Sequence, residues 1–230
     1  MASIGGLVSQ NGKIEFNAAK LVGKMLNRMR HRGPDNQTIR TLPNGRGAFG
    51  SNEINLTTKT TLSSSLAQVP YILFDGELFN ERQDGQTDIS LFDEYYKKYE
   101  KDAFSRLNGF FSCAIIEKNE EVILIRDHVG PRPLFYGYNK GNLYFSSEMK
   151  GLKDKVSFNI AELPPGHMYS SKDGLKPFDP YIAETPEISD IPQTAAALRD
   201  MLIDAVKIRM EGVEAIALSG GLDSSIIATI

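Results

Sequence analysis

Leu218-Ser219-Gly220-Gly221-Leu222-Asp223-Ser224-Ser225 follows the apolar run Ala215-Ile216-Ala217-Leu218 and precedes Ile226-Ile227-Ala228. That order reads as a buried strand, a glycine turn and the start of a helix. Two adjacent glycines let the backbone bend tightly and approach a ligand. The amides that follow, free at a helix N-terminus, then point at an anion. Leu218 leads into the turn, and Asp223 with the hydroxyls of Ser219, Ser224 and Ser225 can complete a cradle for pyrophosphate and its magnesium. No Lys follows the second glycine, which sets this loop apart from the phosphate loop of kinases and GTPases. A serine-capped helix after a turn is the plainer reading. The strand before and the Asp-Ser-Ser after favour nucleotide binding.

Working outward, 230 residues suffice for one large domain, or for one domain and part of another. The chain is 41% hydrophobic and 24% charged with a net charge of −3, a mildly acidic balance that gives no reason to expect nucleic acid or an anionic membrane as partner. No run of about 18 apolar residues exists to span a bilayer, and no basic segment followed by an apolar core marks an export signal at the N-terminus. Cys113 is the single cysteine. That excludes an internal disulfide and fits a reducing cytosol, so a cytoplasmic location is expected. Its apolar neighbours, Phe110 to Ile116, make it a packing residue. His31, His128 and His167 are too scattered for metal-ligand spacing.

The N-terminal Ile4-Gly5-Gly6-Leu7-Val8 reads as an opening strand. Asn17 can cap a helix whose apolar positions, Ala18, Leu21, Val22, Met25, Leu26 and Met29, recur at three and four, with its end expected near Gly33-Pro34. Phe49 and Tyr71-Ile72-Leu73-Phe74 mark further strands. Thr87 to Lys98 is a second helix, apolar at Ile89, Phe92 and Tyr96. From Phe110 the pattern turns to short strands, Phe110–Glu117, Glu121–Arg126, Leu134–Tyr138 and Asn142–Phe145, separated by turns. A proline-rich stretch from Pro177 to Pro192 reads as a linker. After it, Leu198, Met201, Leu202, Ala205 and Val206 give one face of a helix that feeds the terminal strand and glycine loop, the beginning of an α/β unit.

Several segments, in this order, resemble the glutamine-dependent asparagine synthetase family. They are Arg30-His31-Arg32-Gly33-Pro34-Asp35, Asp75-Gly76-Glu77-Leu78-Phe79-Asn80, Arg126-Asp127-His128-Val129-Gly130 with Pro133-Leu134-Phe135-Tyr136, Ser147-Glu148-Met149-Lys150, and the loop at Ser219–Ser225. The resemblance covers nearly the whole chain. It implies an α+β fold: an N-terminal-nucleophile-hydrolase-like four-layer sandwich of two antiparallel sheets between helices, followed by the start of an α/β pyrophosphate-loop domain. The divisions it implies are a glutaminase-type domain over 1–176, a linker over 177–192, and the beginning of a synthetase domain over 193–230. In the family the synthetase half adenylates the side chain of aspartate with ATP and Mg, and ammonia from the glutaminase half displaces AMP. No cofactor is expected for the glutaminase-type domain, and a homodimer is implied.

The family's glutaminase nucleophile is a cysteine exposed when the initiator Met is removed. Ala2 holds that position here, and a methyl group cannot attack an amide. Ser3 does not replace it, since on a strand it faces the other way. The family's arginine for the glutamine carboxylate aligns with Glu53, and no Arg occurs between Arg46 and Arg82. A carboxylate there repels the substrate's. The asparagine that donates to the developing oxyanion aligns with Asp75, and an ionised Asp only accepts. Loss of one such donor costs about 100- to 1,000-fold in rate. Asp88, for the substrate's α-ammonium, is retained, as are Gly76 and Glu77. The alternative reading of Glu53 and Asp75 is that they are solvated loop or turn residues. His31 and Asp35 read as shaping the pocket wall, and Arg126 with Asp127 as a structural pair.

Three functions follow. The first is an asparagine-synthetase-like amidoligase that has lost glutamine hydrolysis and uses free ammonia or another amine. The second is a degenerate domain that binds a different small molecule or a partner subunit. The third is another ligase on the same scaffold, resembling the β-lactam synthetases. The 230 residues alone are expected to lack synthetase activity, because the family's remaining ATP and aspartate residues lie beyond the loop.

Overall fold

The computed structural model describes residues 2–55, 64–65, 69–153, 159–178, 190–210 and 215–230. The strands are β1 (Ala2–Ser9), β2 (Asn36–Thr41), β3 (Gly47–Glu53), β4 (Ser64–Ser65), β5 (Tyr71–Leu78), β6 (Gly109–Ile116), β7 (Val122–Arg126), β8 (Phe135–Asn139), β9 (Asn142–Ser146), β10 (Ala161–Glu162), β11 (His167–Ser170) and β12 (Gly174–Pro177). The helices are α1 (Ala18–Asn27), α2 (Asp88–Tyr99), α3 (Met149–Leu152), α4 (Ile191–Lys207) and α5 (Leu222–Thr229). The chain divides into two compact units, residues 1–181 and 182–230.

The first unit holds two six-stranded antiparallel sheets, ordered β10-β8-β9-β1-β3-β2 and β12-β11-β7-β6-β5-β4. Alternation along each strand builds the layers. Ile4 and Val8 of β1, Phe49 of β3, Leu73 of β5, Ala114 of β6 and Phe145 of β9 meet between the sheets. The opposite face of β5, β6 and β7 packs Phe74, Phe111, Cys113 and Ile125 under Ile89 and Phe92 of α2. On the other outer side, Leu7 and Ala48 lie beneath Val22, Met25 and Leu26 of α1, with Leu152 of α3. The layers therefore run helix, sheet, sheet, helix.

The helix caps are where side-chain chemistry places them. Asn17 accepts from the Lys20 amide at 2.8 Å and begins α1, and Thr87 accepts from the Ser90 amide and begins α2. The first helix is shorter than its apolar pattern implies. It stops at Asn27, and a separate 3-10 turn over Arg30–Arg32 carries the chain to Gly33. That change of winding turns Arg32 toward β1.

In the second unit α4 is present, capped by Asp190, and α5 starts at Leu222 after Gly220, whose φ of +80° is the left-handed conformation that glycine adopts without strain. The expected strand over 215–218 is not formed; those residues carry no regular secondary structure and are exposed. A strand exists only through its ladder, and the described part of this unit supplies no partner strand. Most of the proline-rich linker, residues 179–189, lies outside the described residues.

Candidate functional site

The polar site lies at one end of the layer between the sheets. Ala2 starts β1 opposite Glu53 at the end of β3, and Asp75 on β5 reaches toward them from the other sheet. The Ala2 amide donates to Asp75 Oδ1 at 3.0 Å, bridging the two sheets. Ser3 points to the opposite face, where Asn52 Nδ2 donates to its Oγ at 2.9 Å.

Arg32 closes the arrangement. Its Nε donates to the Ala2 carbonyl at 2.9 Å and its second terminal nitrogen to Asp75 Oδ2 at 2.6 Å. Asp75 is fully buried and Arg32 nearly so. Burial pushes the Asp75 carboxyl above its ordinary range, against the opposing charge of Arg32, the Ala2 amide and the charge of Arg132. Both carboxylate oxygens already accept from N–H donors.

Glu53 is also buried, at 3% exposure. Its Oε2 accepts from Asn36 Nδ2 at 3.1 Å and its Oε1 from Ser51 Oγ. The alternative reading of Glu53 and Asp75 as solvated turn residues is therefore wrong: each sits in a strand with its side chain inside. Gly76 must be glycine for β5 to lie against β6, since a Cβ there would come within 2.2 Å of the Phe110 carbonyl. Glu77 is exposed. Asp88, in the first turn of α2, accepts from the Leu78 amide at 3.0 Å and pairs with Arg82 at 3.1 Å. A cation of the chain itself thus rests on the carboxylate expected to receive a ligand's ammonium.

At the rim, Glu148 accepts from Lys150 at 2.7 Å and lies 3.0 Å from His31 Nε2 and 3.7 Å from Arg32. Partial burial opposes ionisation of Glu148, but the bond and charge of Lys150, with His31 and Arg32 beside it, outweigh it and hold the carboxyl below its usual range. Asp35 caps the Asn55 amide at 2.7 Å. Arg126 and Asp127 do not form the pair read from the sequence. Arg126 donates to the Gly130 and Leu163 carbonyls and to Glu162, whereas Asp127 accepts from the amides of Phe111, Val129 and Gly130. Arg126 is the last residue of β7 and Asp127 begins the turn after it, so the two side chains serve different neighbours.

Arg32, Arg82 and Arg132 are the site residues that motif reading passes over. Arg32 was visible only as part of a turn, and nothing in linear order brings Arg32 or Arg132 to Asp75, whereas Arg82 meets Asp88 from only six residues before it. In the second unit, Ser219 Oγ and Ser224 Oγ lie 2.9 Å apart, and Ser224 and Ser225 donate to the Gly221 carbonyl at 3.1 and 2.8 Å. Leu218, Asp223 and the glycines between them are exposed. Gly221 caps α5 without a side-chain bond, so no cap oxygen covers its first amides.

Two antiparallel sheets between helices, with a polar site at the first residues of the central strand, define a glutamine-amidotransferase-type domain. The chain belongs to the glutamine amidotransferase domain family, whose model matches residues 1–166. The relatives are asparagine synthetases. That of Zea mays is 30% identical over 98% of this chain and 41% of its own length. Asparagine synthetase 1 of Saccharomyces cerevisiae is 35% identical over 59% of this chain and 25% of its own. The chain spans about two fifths of the length of the Zea mays relative. Among solved structures, glutamine phosphoribosylpyrophosphate amidotransferase of B. subtilis aligns with 99% of this chain and 63% of its own at a TM-score of 0.62 and 17% identity, a likeness of fold.

Proposed function

We propose that this chain is the glutaminase-type domain of an asparagine-synthetase-like protein and that it has lost glutamine hydrolysis. The observation that carries this reading is the buried Asp75 carboxylate, accepting from the Ala2 amide and from Arg32. Amide hydrolysis through an acyl intermediate needs a nucleophile and a donor at the developing oxyanion. Ala2 provides no nucleophile. Asp75 places a buried carboxyl, both oxygens of which accept from N–H groups of the chain, where a donor is required. Glu53 adds a second buried carboxylate where the substrate's own carboxylate would be held.

The loop at Leu218–Ser225 supports an ATP-dependent amidation of aspartate in the whole protein, fed by free ammonia or another amine. An uncovered helix N-terminus, a left-handed Gly220 and the hydroxyls of Ser219, Ser224 and Ser225 are a donor set that fits a pyrophosphate, with Asp223 beside it for magnesium. Bound there, ATP would supply the leaving group for activation of a carboxylate. The Arg82–Asp88 pair favours a second reading, in which the altered pocket is a binding or structural module, because an internal cation already neutralises Asp88.

The test is ammonia release from L-glutamine. The chain as it stands and its Ala2→Cys variant are both expected to release none above the buffer rate. Hydrolysis by the cysteine variant would show that Ala2 was the only lesion and that Glu53 and Asp75 are harmless.

A further inference from the structure

Leu78 and Asp88 aim two acceptors at one nitrogen, and that nitrogen belongs to the chain. Asp88 Oδ1, at the start of α2, accepts from Arg82 Nη2 at 3.1 Å, and the same nitrogen donates to the Leu78 carbonyl at the end of β5. The Leu78 amide in turn donates to Asp88 Oδ1 at 3.0 Å, which fixes the carboxylate beside the carbonyl. A carboxylate and a carbonyl that converge on one N–H group form a cradle for a small cation, and an ammonium, with three donors, can serve both. Arg82 enters this cradle from the loop over 79–87, whose backbone is secured on either side of it. Asn80 accepts from the Asn108 amide at 2.7 Å and donates to the Arg106 carbonyl at 3.0 Å. The Gln83 amide donates to Gln86 Oε1 at 3.1 Å, and the Gln86 amide returns a bond to the Gln83 carbonyl at 3.0 Å. On its outer side Arg82 borders an open cavity of about 360 Å³, lined also by Glu81, Gln86, Glu94 and Tyr95. The guanidinium thus stands between the cradle and water, and the loop keeps other bonds that hold its shape.

We propose that Arg82 is a built-in occupant of the cation subsite formed by Asp88 and the Leu78 carbonyl, and that it sets the specificity of the altered pocket by keeping out amines and amino acids that would place an ammonium there. A tethered guanidinium competes at an effective concentration that a free amine rarely reaches. A ligand's ammonium must first displace it, so the apparent affinity falls by the fraction of time that the subsite stands open. The competition is reversible, because both partners of the pair are partly exposed, Arg82 at 27% and Asp88 at 16%, and such pairs are weak. Removing the guanidinium also frees the volume that an ammonium needs, so the subsite requires no other space. The inference rests on the proposed function in one respect only, that Asp88 faces a ligand's cation.

The experiment is a titration of the isotopically labelled chain, and of its Arg82→Ala and Arg82→Lys variants, with 4-aminobutanamide at constant ionic strength. This probe carries an ammonium and an amide but no carboxylate for Glu53 to repel, and uncharged butanamide is the control. The backbone amides of Leu78 and Asp88 report occupancy. Arg82→Ala is expected to bind the probe saturably and at least about fivefold more tightly than the natural chain, the gain from a subsite that no longer has to open. Arg82→Lys, which keeps a tethered cation, should stay close to the natural chain. If Arg82→Ala does not fold, Arg82→Gln takes its place. The proposal is overturned if the natural chain and the folded variant bind the probe equally, if neither gives a saturable shift, or if butanamide binds as tightly as the amine. Glutamine hydrolysis by Ala2→Cys would contradict the inactive pocket and leave the titration result standing.

Discussion

Asp75 is held by the Ala2 amide and by Arg32, and its protonation links the site to stability. Burial disfavours its charged form more than Arg32, the Ala2 amide and Arg132 favour it, which places its carboxyl above the ordinary 3.8. In the window between 3.8 and the raised folded value, the native state binds more protons than the unfolded chain. Stability conferred at this residue therefore falls as pH rises through the window and recovers on acidification. Glu148 and Glu121 behave in the opposite sense, since their carboxyls lie below the usual range in the fold. Comparing wild type with Asp75→Asn cancels those groups. Urea midpoints between pH 4 and 7 are expected to shift in favour of the wild type as pH falls. A shift in favour of the asparagine variant would place Asp75 below its ordinary value.

At the scale of elements, Arg32 is a clamp. From the 3-10 turn after α1 it reaches the carbonyl at the start of β1, the carboxylate on β5 and the residue before α3. It therefore ties one sheet to the other at the end where the apolar layer gives way to polar groups. Removing it strands a buried carboxylate, so Arg32→Ala is expected to cost about 3–5 kcal/mol in urea unfolding. Lysine should recover only part of this, because a single ammonium cannot reproduce the fork. A loss below about 1 kcal/mol would mean that the pair is not maintained in solution. Elements with strong local signals were legible in advance: α1 and α2 from three-four periodicity and their caps, and β6 to β9 from short apolar runs between turns. Strand β2, with the sequence Asn36-Gln37-Thr38-Ile39-Arg40-Thr41, carries little apolar alternation because it is a half-exposed edge, and it was not foreseen. The run over 215–218 failed in reverse, since four apolar residues cannot specify a strand without a neighbour.

At the scale of the whole molecule, ordered motifs identified the fold because each sits where it closes part of one architecture. Arg30–Asp35 turns the chain into β2, Asp75–Asn80 ends β5, and Ser147–Lys150 joins β9 to α3. The altered positions, Ala2, Glu53 and Asp75, could be named from the sequence. Their partners could not, because Arg32 meets Ala2 and Asp75, and Asn36 meets Glu53, only through tertiary contacts. Among the described residues no helix is long and apolar enough to cross a membrane. Under the proposed function, three positions together, and not the nucleophile alone, abolish glutamine hydrolysis. This is tested most directly by comparing ammonia release from L-glutamine by Ala2→Cys with that by Ala2→Cys, Glu53→Arg and Asp75→Asn combined. The single variant should remain at the buffer rate while the triple variant, if folded, hydrolyses glutamine measurably. Equal hydrolysis by the two would contradict the account.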